Sequence, residues 1–314
     1  MKRVLVTGGT GFIGAWVAQE LIAAGYKARL FDLTPRPENL NFVVPGLARQ
    51  VELVSGDIRY EAAIAAALRG CDGAIHLAGL MTVDCAANPR LAMEINLLGS
   101  HHLLEAAGKQ GIRRIAYAST AGVYGPTDPV HPQPQTLYGI LKLGVEGLAR
   151  IAFHRHSILS VGFRPYIVYG PGESAGIAAD PSIALRAAAR GHAATIRFSG
   201  RVGFVHVTDV ARAMVAALSA PLSSPQVFDL AGDAADMAQF VDLLRQQAPG
   251  AEVIVEGPPL TLPETLAGGD SAAWFDSLPV TVLTDGIKTT LTHWKYRSAQ
   301  SGFQRAAAVT EAAR

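Results

Sequence analysis

The sequence predicts an α/β fold: a doubly wound parallel sheet with a smaller C-terminal α/β lobe. Three observations predict it. Short runs rich in β-branched and aliphatic residues alternate with longer Ala/Leu-rich segments through about residue 165; the first strand-to-helix junction is a glycine-rich turn; and an acidic residue closes the second strand-like run. Alternation of this kind requires crossover connections, hence a parallel sheet with helices on both faces, the Rossmann type.

Val4–Val6, Lys27–Phe31, Val51–Val54, Gly73–Leu77, Arg114–Tyr117 and Ser160–Phe163 read as buried strands. Ile13–Ala24, Glu61–Leu68, Leu91–Lys109 and Tyr138–Phe153 read as the helices between them. The rhythm then breaks at the Gly/Pro-rich stretch 170–181. Ile183–Arg190 is helical in pattern, Arg201–Val207 strand-like, and Thr208-Asp209 an expected cap for a helix reaching about Leu218. Residues 232–290 mix short helices with the turn-rich Gly257–Ser277. The division expected is residues 1–165 as a nucleotide-binding domain, with a segment near 204–230 returning to it. Residues 166–203 and 231–297 make the substrate lobe, and the small, polar residues 298–314 a frayed tail.

A chain of 314 residues, 49% hydrophobic and 17% charged, can bury a large core. Its formal net charge of +1 gives no footprint for nucleic acid or an anionic membrane. Cys71 and Cys85 lack metal-ligand spacing and read as reduced thiols. Glycines at 8, 9, 11 and 14 interrupt the N-terminal apolar run, so it does not read as a signal peptide, and no run of eighteen apolar residues follows. A cytoplasmic protein acting on a small molecule is expected.

Val4-Leu5-Val6-Thr7-Gly8-Gly9-Thr10-Gly11-Phe12-Ile13-Gly14 is strand, tight turn and helix start. Glycines let backbone approach a pyrophosphate, and a helix N-terminus offers it free N–H groups and positive potential. Eighteen residues after Gly14, Asp32 ends the second strand, where a carboxylate accepts hydrogen bonds from ribose hydroxyls and repels a 2′-phosphate. NAD is therefore expected over NADP, although Arg36 in the same loop offers a 2′-phosphate a partner.

Tyr138 and Lys142 stand four apart on one helix face. A tyrosine is a poor base at neutral pH, and a nearby ammonium is expected to lower its pKa so that it can exchange a proton with an alcohol or carbonyl oxygen.

With these motifs stand Gly56-Asp57-Ile58, His76-Leu77-Ala78-Gly79, Asn96-Leu97-Leu98-Gly99 and Ser119-Thr120-Ala121-Gly122-Val123-Tyr124-Gly125. Arg164 through Gly172 and Phe204-Val205-His206-Val207-Thr208-Asp209-Val210 follow. In that order, over about residues 1–295, the chain resembles an extended short-chain dehydrogenase/reductase of the NAD-dependent epimerase/dehydratase family. The resemblance implies Thr120, Tyr138 and Lys142 as catalytic residues, Thr120 orienting the reacting oxygen. It implies a cofactor site of Gly8, Gly11, Phe12, Ile13, Gly14, Asp32, Asp57, Ile58, Leu77, Ala78, Gly79, Asn96, Ser119, Tyr138, Lys142, Tyr166 and Val168. It also implies a homodimer built from the helices around 91–109 and 138–153.

Departures from the family pattern bear on the substrate. Ala121 and Gly122 stand where dehydratases carry acids after the catalytic Thr, which argues against elimination. Ile167 replaces an Asn, and Val202 the diphosphate-binding Arg, with Arg201 one residue early and so on the opposite strand face. A sugar, sugar acid, polyol or hydroxy acid is expected, with nucleotide-sugar epimerase as the alternative and a non-catalytic NAD(P)-binding sensor a third reading. His101, His102, His154 and His156 read as surface or subunit contacts, His206 as packed in a strand, and His131 as a residue of the loop entering the Tyr138 helix. No metal site is expected. Arg186, Arg190, Arg197 and Arg201 read as solvated charges or anchors for an acidic substrate.

Overall fold

The computed structural model describes residues 2–172 and 176–312, with side chains described to Arg297; the tail expected at 298–314 falls outside the residues described in full. The N-terminal half runs β1 (Arg3–Thr7), α1 (Phe12–Ala23), β2 (Lys27–Asp32), α2 (Pro37–Val43), β3 (Glu52–Ser55), α3 (Glu61–Leu68) and β4 (Gly73–His76). It continues through α4 (Thr82–Ala87), α5 (Pro89–Ala92), α6 (Gly99–Lys109), β5 (Arg114–Ala118), α7 (Leu137–His156) and β6 (Leu159–Pro165). The rest comprises β7 (Ile167–Tyr169), α8 (Asp180–Ala189), β8 (Ala194–Ile196), β9 (Arg201–His206), α9 (Val207–Ala216) and β10 (Gln226–Leu230). After these come β11 (Asp233–Asp236), α10 (Met237–Gln247), β12 (Val253–Val255), α11 (Ala273–Asp276) and α12 (Leu283–Ala312).

Among the described residues, seven strands form one sheet in the order β3-β2-β1-β4-β5-β6-β10, every pair parallel. The order reverses between β1 and β4, where Thr7 lies opposite Phe31 on one side and His76 on the other. In such sheets the crevice outside the carboxyl ends at this reversal receives ligands. Val4, Leu5 and Val6 are all buried because helices cover both faces, which is why β1 reads as an unbroken apolar run. Val4, Val6, Leu30 and Ile75 pack with Leu21 of α1 and Met214 of α9; Leu5, Phe31 and Ala74 pack with Ile64 of α3 and Leu103 of α6.

Two expected elements come out differently. The helix expected over Leu91–Lys109 is α5 and α6 joined by a wide π turn, Met93–Leu98. That turn carries the buried Asn96, whose amide binds both backbone groups of Leu80; π turns of this kind often sit at functional sites. Thr208 and Asp209 do not cap α9, which starts directly from His206. Their side chains are taken elsewhere: Thr208 Oγ1 pairs with His206 Nδ1 at 2.7 Å, and Asp209 accepts from the Thr281 amide and hydroxyl and from Arg212.

β9 forms a second sheet with β7, parallel, and β11, antiparallel, while β8 and β12 pair separately. Aromatic packing joins β9 to α10, with Phe204 stacked on Phe240 at 5.0 Å and both fully buried. α12 packs on α8 and α10, and its His293 donates to the Phe42 carbonyl of α2, tying this helix to the first half of the chain. Phe204→Ala is expected to cost about 3–5 kcal/mol of unfolding free energy, read as a lower urea midpoint with an unchanged slope.

Candidate active site

At the end of β1 the chain turns on Gly8, whose φ of +66° suits glycine. A Cβ at Gly14 would collide with the Gly8 carbonyl, and one at Gly8 would lie 2.9 Å from the Ala78 amide nitrogen. The bare backbone thus lets α1, the turn and the end of β4 close on one another. The start of α1 has no side-chain cap, so its N–H groups face the crevice unspent. Phe12 and Ile13 open the helix half-buried; Phe12 lies against Gly172, and Trp16 Nε1 donates to the Pro171 carbonyl at 2.9 Å.

Asp32 ends β2 beside this turn. Its Oδ2 accepts from the Thr10 hydroxyl at 2.6 Å and the Thr10 amide at 3.2 Å. Oδ1 has no partner among the described residues, so the carboxylate is held in place with one oxygen to offer. Arg36 is exposed and forms no ion pair among the described residues. Beyond the end of β3, Asp57 is clamped by Arg59, which holds its carboxyl below the usual range, and Ile58 packs where Gly99 leaves room.

Leu77, Ala78 and Gly79 follow β4. The Leu77 and Ala78 amides both donate to Thr7 Oγ1 at 3.3 Å, and Thr7 lies 2.7 Å from His76 Nδ1. His76 Nε2 lies 2.8 Å from Ser100 Oγ, which donates to the Asn96 carbonyl at 2.5 Å. Because Ser100 spends its proton on that carbonyl, it accepts from Nε2–H, and Nδ1 accepts from Thr7. Burial drives the His76 pKa down to about 3, so the ring stays neutral.

α7 carries Tyr138 and Lys142, and a glycine sets its approach: a Cβ at Gly139 would collide with the Gly122 carbonyl. Thr136 caps the helix through the Gly139 amide, and Thr120 accepts from the Gly122 amide, fixing the turn that α7 touches. Lys142 Nζ donates to the Ala118 carbonyl at 2.8 Å and lies 5.8 Å from the centre of the Tyr138 ring. A Cβ on Gly79 would lie 3.2 Å from Asn96 Oδ1 and 3.7 Å from Lys142 Nζ, so the dyad faces the end of β4.

The electrostatics differ from the sequence expectation. Burial raises the Tyr138 pKa above the ordinary phenol value and lowers that of Lys142 to about 8; Thr120 pulls Tyr138 down, but less than burial lifts it. An ammonium 5.8 Å from the ring centre does not offset the loss of water around the hydroxyl, so Tyr138 stands as a protonated phenol. Cys85, expected from the sequence to be a bland thiol, packs against Tyr138, and Asn96 Nδ2 donates to its sulfur at 3.5 Å.

Ser119 faces away from Thr120 and donates to Glu146 at 2.6 Å, and Glu146 is gripped by Arg164 through bonds of 2.9 and 2.7 Å. Sequence reasoning missed this buried pair. The available signals were a Glu one turn beyond Lys142 on the buried side of α7, and an Arg directly after the apolar run Ser160–Phe163.

The remaining candidates disperse. The Tyr166 hydroxyl is spent on the Pro263 carbonyl, and Val168 sits in the second sheet, its place set by β9. Arg201 is 40% exposed and turns to Asp236 and the Ala234 carbonyl, while Val202 is buried. Arg197 is locked on Asp180, and Arg186 and Arg190 lie over Trp294. His206 is buried, its pKa lowered to about 4; His131 is exposed and paired with Asp128. Among the described residues no cluster of His, Cys, Asp or Glu is arranged to hold a metal, and no helix is long and apolar enough to cross a membrane.

The sheet order and the glycine turn at its reversal, with Thr120, Tyr138 and Lys142 beside it, define a Rossmann-type α/β protein. The chain matches the NAD dependent epimerase/dehydratase family over residues 4–231 and belongs to it. UDP-glucose 4-epimerase of Mus musculus is 33% identical over 168 residues, 48% of each chain. Human 3 beta-hydroxysteroid dehydrogenase type 7 is 34% identical over 157 residues, 48% of this chain and 39% of that one. The chain spans about half the length of the curated relatives it matches. Among solved structures, the UDP-glucose 4-epimerase of Thermus thermophilus, in complex with NAD, superposes with a TM-score of 0.79 at 25% identity over 93% of this chain and 99% of that one. The Thermotoga maritima enzyme with UDP-glucose gives 0.80 at 26% over 95% and 99%.

The neutral His76 has a stability consequence. The unfolded imidazole takes a proton near pH 6.5 and the folded one only near 3, so the unfolded state binds more protons in that window, and stability falls as pH drops through it. Between pH 7 and pH 4 this group is expected to remove roughly 3 kcal/mol. His76→Asn should flatten the urea-midpoint profile over that range.

Proposed function

We propose that this chain binds NAD at the crevice between β1 and β4 and transfers hydride at a secondary alcohol or keto carbon of a small substrate. The observation that carries the reading is the meeting of two independent devices. Lys142 and Asn96 come within reach of Gly79, and the glycine turn closes on Ala78 one residue away. The residues fit the dinucleotide: glycine Cβ positions that other backbone would fill, unspent N–H groups at α1, and a fixed carboxylate at Asp32 with one oxygen free to accept ribose hydroxyls. A carboxylate there disfavours a 2′-phosphate, so NADH should bind several-fold more tightly than NADPH.

When bound, the nicotinamide supplies or accepts the hydride. Tyr138, protonated and buried, donates its proton to a substrate oxygen and recovers one in the reverse direction. Thr120, beside it, orients that oxygen through its hydroxyl proton, its lone pair being held by the Gly122 amide. Lys142, anchored on Ala118, keeps a positive charge near Tyr138 below about pH 8 and would hold the nicotinamide ribose.

For the substrate, the positions of the arginines favour a sugar, sugar acid, polyol or hydroxy acid without a nucleotide diphosphate. Arg201 points away, Arg197 is spent on Asp180, and the buried Val202 and Ile167 offer no charge. Ala121, buried after Thr120, supplies no carboxylate for elimination. The second reading, epimerisation of a nucleotide sugar, is favoured by the relatives named above. NAD reduction on a panel of sugars, polyols and hydroxy acids, run beside UDP-glucose and UDP-galactose interconversion, separates the two. Tyr138→Phe is expected to abolish turnover on the active substrate while leaving NADH affinity within about twofold; retained turnover would sink the mechanism.

We further propose a homodimer. Ile140 and Ile151 are 54% and 53% exposed on α7 with Gly144 and Gly147 between them at helical spacing, and Met93 and Leu98 stand exposed on the adjoining π turn. A small-residue stripe flanked by apolar side chains admits a partner helix closely. Ile140→Glu with Ile151→Glu should halve the molar mass seen by light scattering. The two free cysteines fit a reducing, cytoplasmic setting.

A further inference from the structure

Residues 263–269 have no regular secondary structure, yet their bonds reach four separate places: Tyr166, Arg164, Asp229 and the loop that leads into α7. The Pro263 carbonyl accepts from the Tyr166 hydroxyl at 2.7 Å, and the Ala267 amide donates to the Pro129 carbonyl at 2.9 Å. The Gly268 and Gly269 amides both donate to Asp229 Oδ2, at 3.1 and 2.8 Å. Both positions exclude a side chain. A Cβ at Gly268 would collide with the Val130 carbonyl and lie 2.7 Å from the Tyr124 hydroxyl, and one at Gly269 would lie 2.5 Å from the Asp229 nitrogen.

From Asp229 the bonding runs inward. Tyr124 Oη donates to the carboxylate at 2.9 and 3.0 Å and accepts from Arg164 Nη1 at 2.5 Å, with the guanidinium 5.1 Å from the centre of the Tyr124 ring. Arg164 then holds Glu146 with two bonds, and Glu146 takes the Ser119 hydroxyl. A single hydrogen-bonded chain therefore joins Ser119, just past the end of β5 and beside Thr120, to the helix carrying Tyr138 and Lys142 and to the backbone of 263–269. Burying two charges and half-burying a third costs more than filling the same space with apolar groups, so such a chain is poor glue, but it fixes geometry strictly.

We infer that Glu146, Arg164, Tyr124 and Asp229 are positioning residues for the reaction proposed above: Glu146 and Arg164 seat the catalytic helix, while Tyr124 and Asp229 hold 263–269 as a strap against the 126–131 loop that leads into that helix. None of the four touches the reacting atoms. The inference rests on the hydride-transfer reading for its kinetic arm only.

The test compares Tyr124→Phe, Asp229→Asn and Glu146→Gln with the unaltered chain. In amide hydrogen exchange with NADH present, the first two should speed exchange about tenfold over 263–270 and 126–131 and leave the β1–β4 half unchanged. NADH affinity should stay within about twofold. On the panel member reduced fastest by the unaltered chain, Tyr124→Phe and Asp229→Asn should raise KM about fivefold or more with kcat nearly constant, whereas Glu146→Gln should lower kcat about tenfold. Unchanged exchange in the strap, or acceleration spread evenly over the whole chain, overturns the inference, as does a KM and kcat that do not move. If no panel member is reduced, the hydride reading fails instead, and the exchange arm still decides the strap.

Discussion

Gly139 rests on the Gly122 carbonyl at a place where a methyl group could not fit, and Gly14 and Gly8 make the same kind of approach at the first turn. These backbone-on-backbone contacts set the distances on which the site depends. Without the first, α7 would stand off from the turn that carries Thr120, and Tyr138 would leave its partner. Without the second, α1 could not present its free N–H groups beside the end of β4. Glycine serves here less for unusual dihedrals than because the absence of a side chain is the geometry itself.

Once the elements close to these distances, water is squeezed out, and burial governs the ionisable groups. Tyr138 is lifted, Lys142 brought to about 8 and His76 to about 3, each in the direction that penalises charge. The charges of the polar chain, buried Glu146 and Arg164 and half-buried Asp229, persist because each is hydrogen-bonded by the others, by Tyr124 or by backbone amides. The candidate site is thus a buried Tyr-Lys pair backed by a satisfied polar chain, and the proton affinity of Tyr138 follows enclosure more than the neighbouring ammonium.

Much of this was legible in the residues. The six strands of the first half lie within a residue or two of their expected positions because both faces are covered, and buried parallel strands announce themselves as apolar runs. The Tyr-Lys spacing was readable because helical spacing of four is a local fact. The π turn was not: Leu91–Lys109 has helical composition throughout, and the break comes from Asn96 reaching Leu80, a partner sixteen residues away. Thr208-Asp209 looked like a cap for the same reason in reverse, since Thr281, over seventy residues on, and Arg212 take the Asp209 side chain from that task.

By itself, the sequence determined the alternation that makes the sheet, the glycine turn with its carboxylate, and the four-residue spacing that puts Tyr138 and Lys142 on one helix. All of these depend on periodicity or on spacings within one turn or one strand. The tertiary structure alone decided the proton state of Tyr138 and Lys142, the turning away of Arg201 and the joining of Glu146 through Arg164 and Tyr124 to Asp229. Those outcomes depend on which groups lose water together, and burial is a property of the packed whole that no local stretch of chain contains.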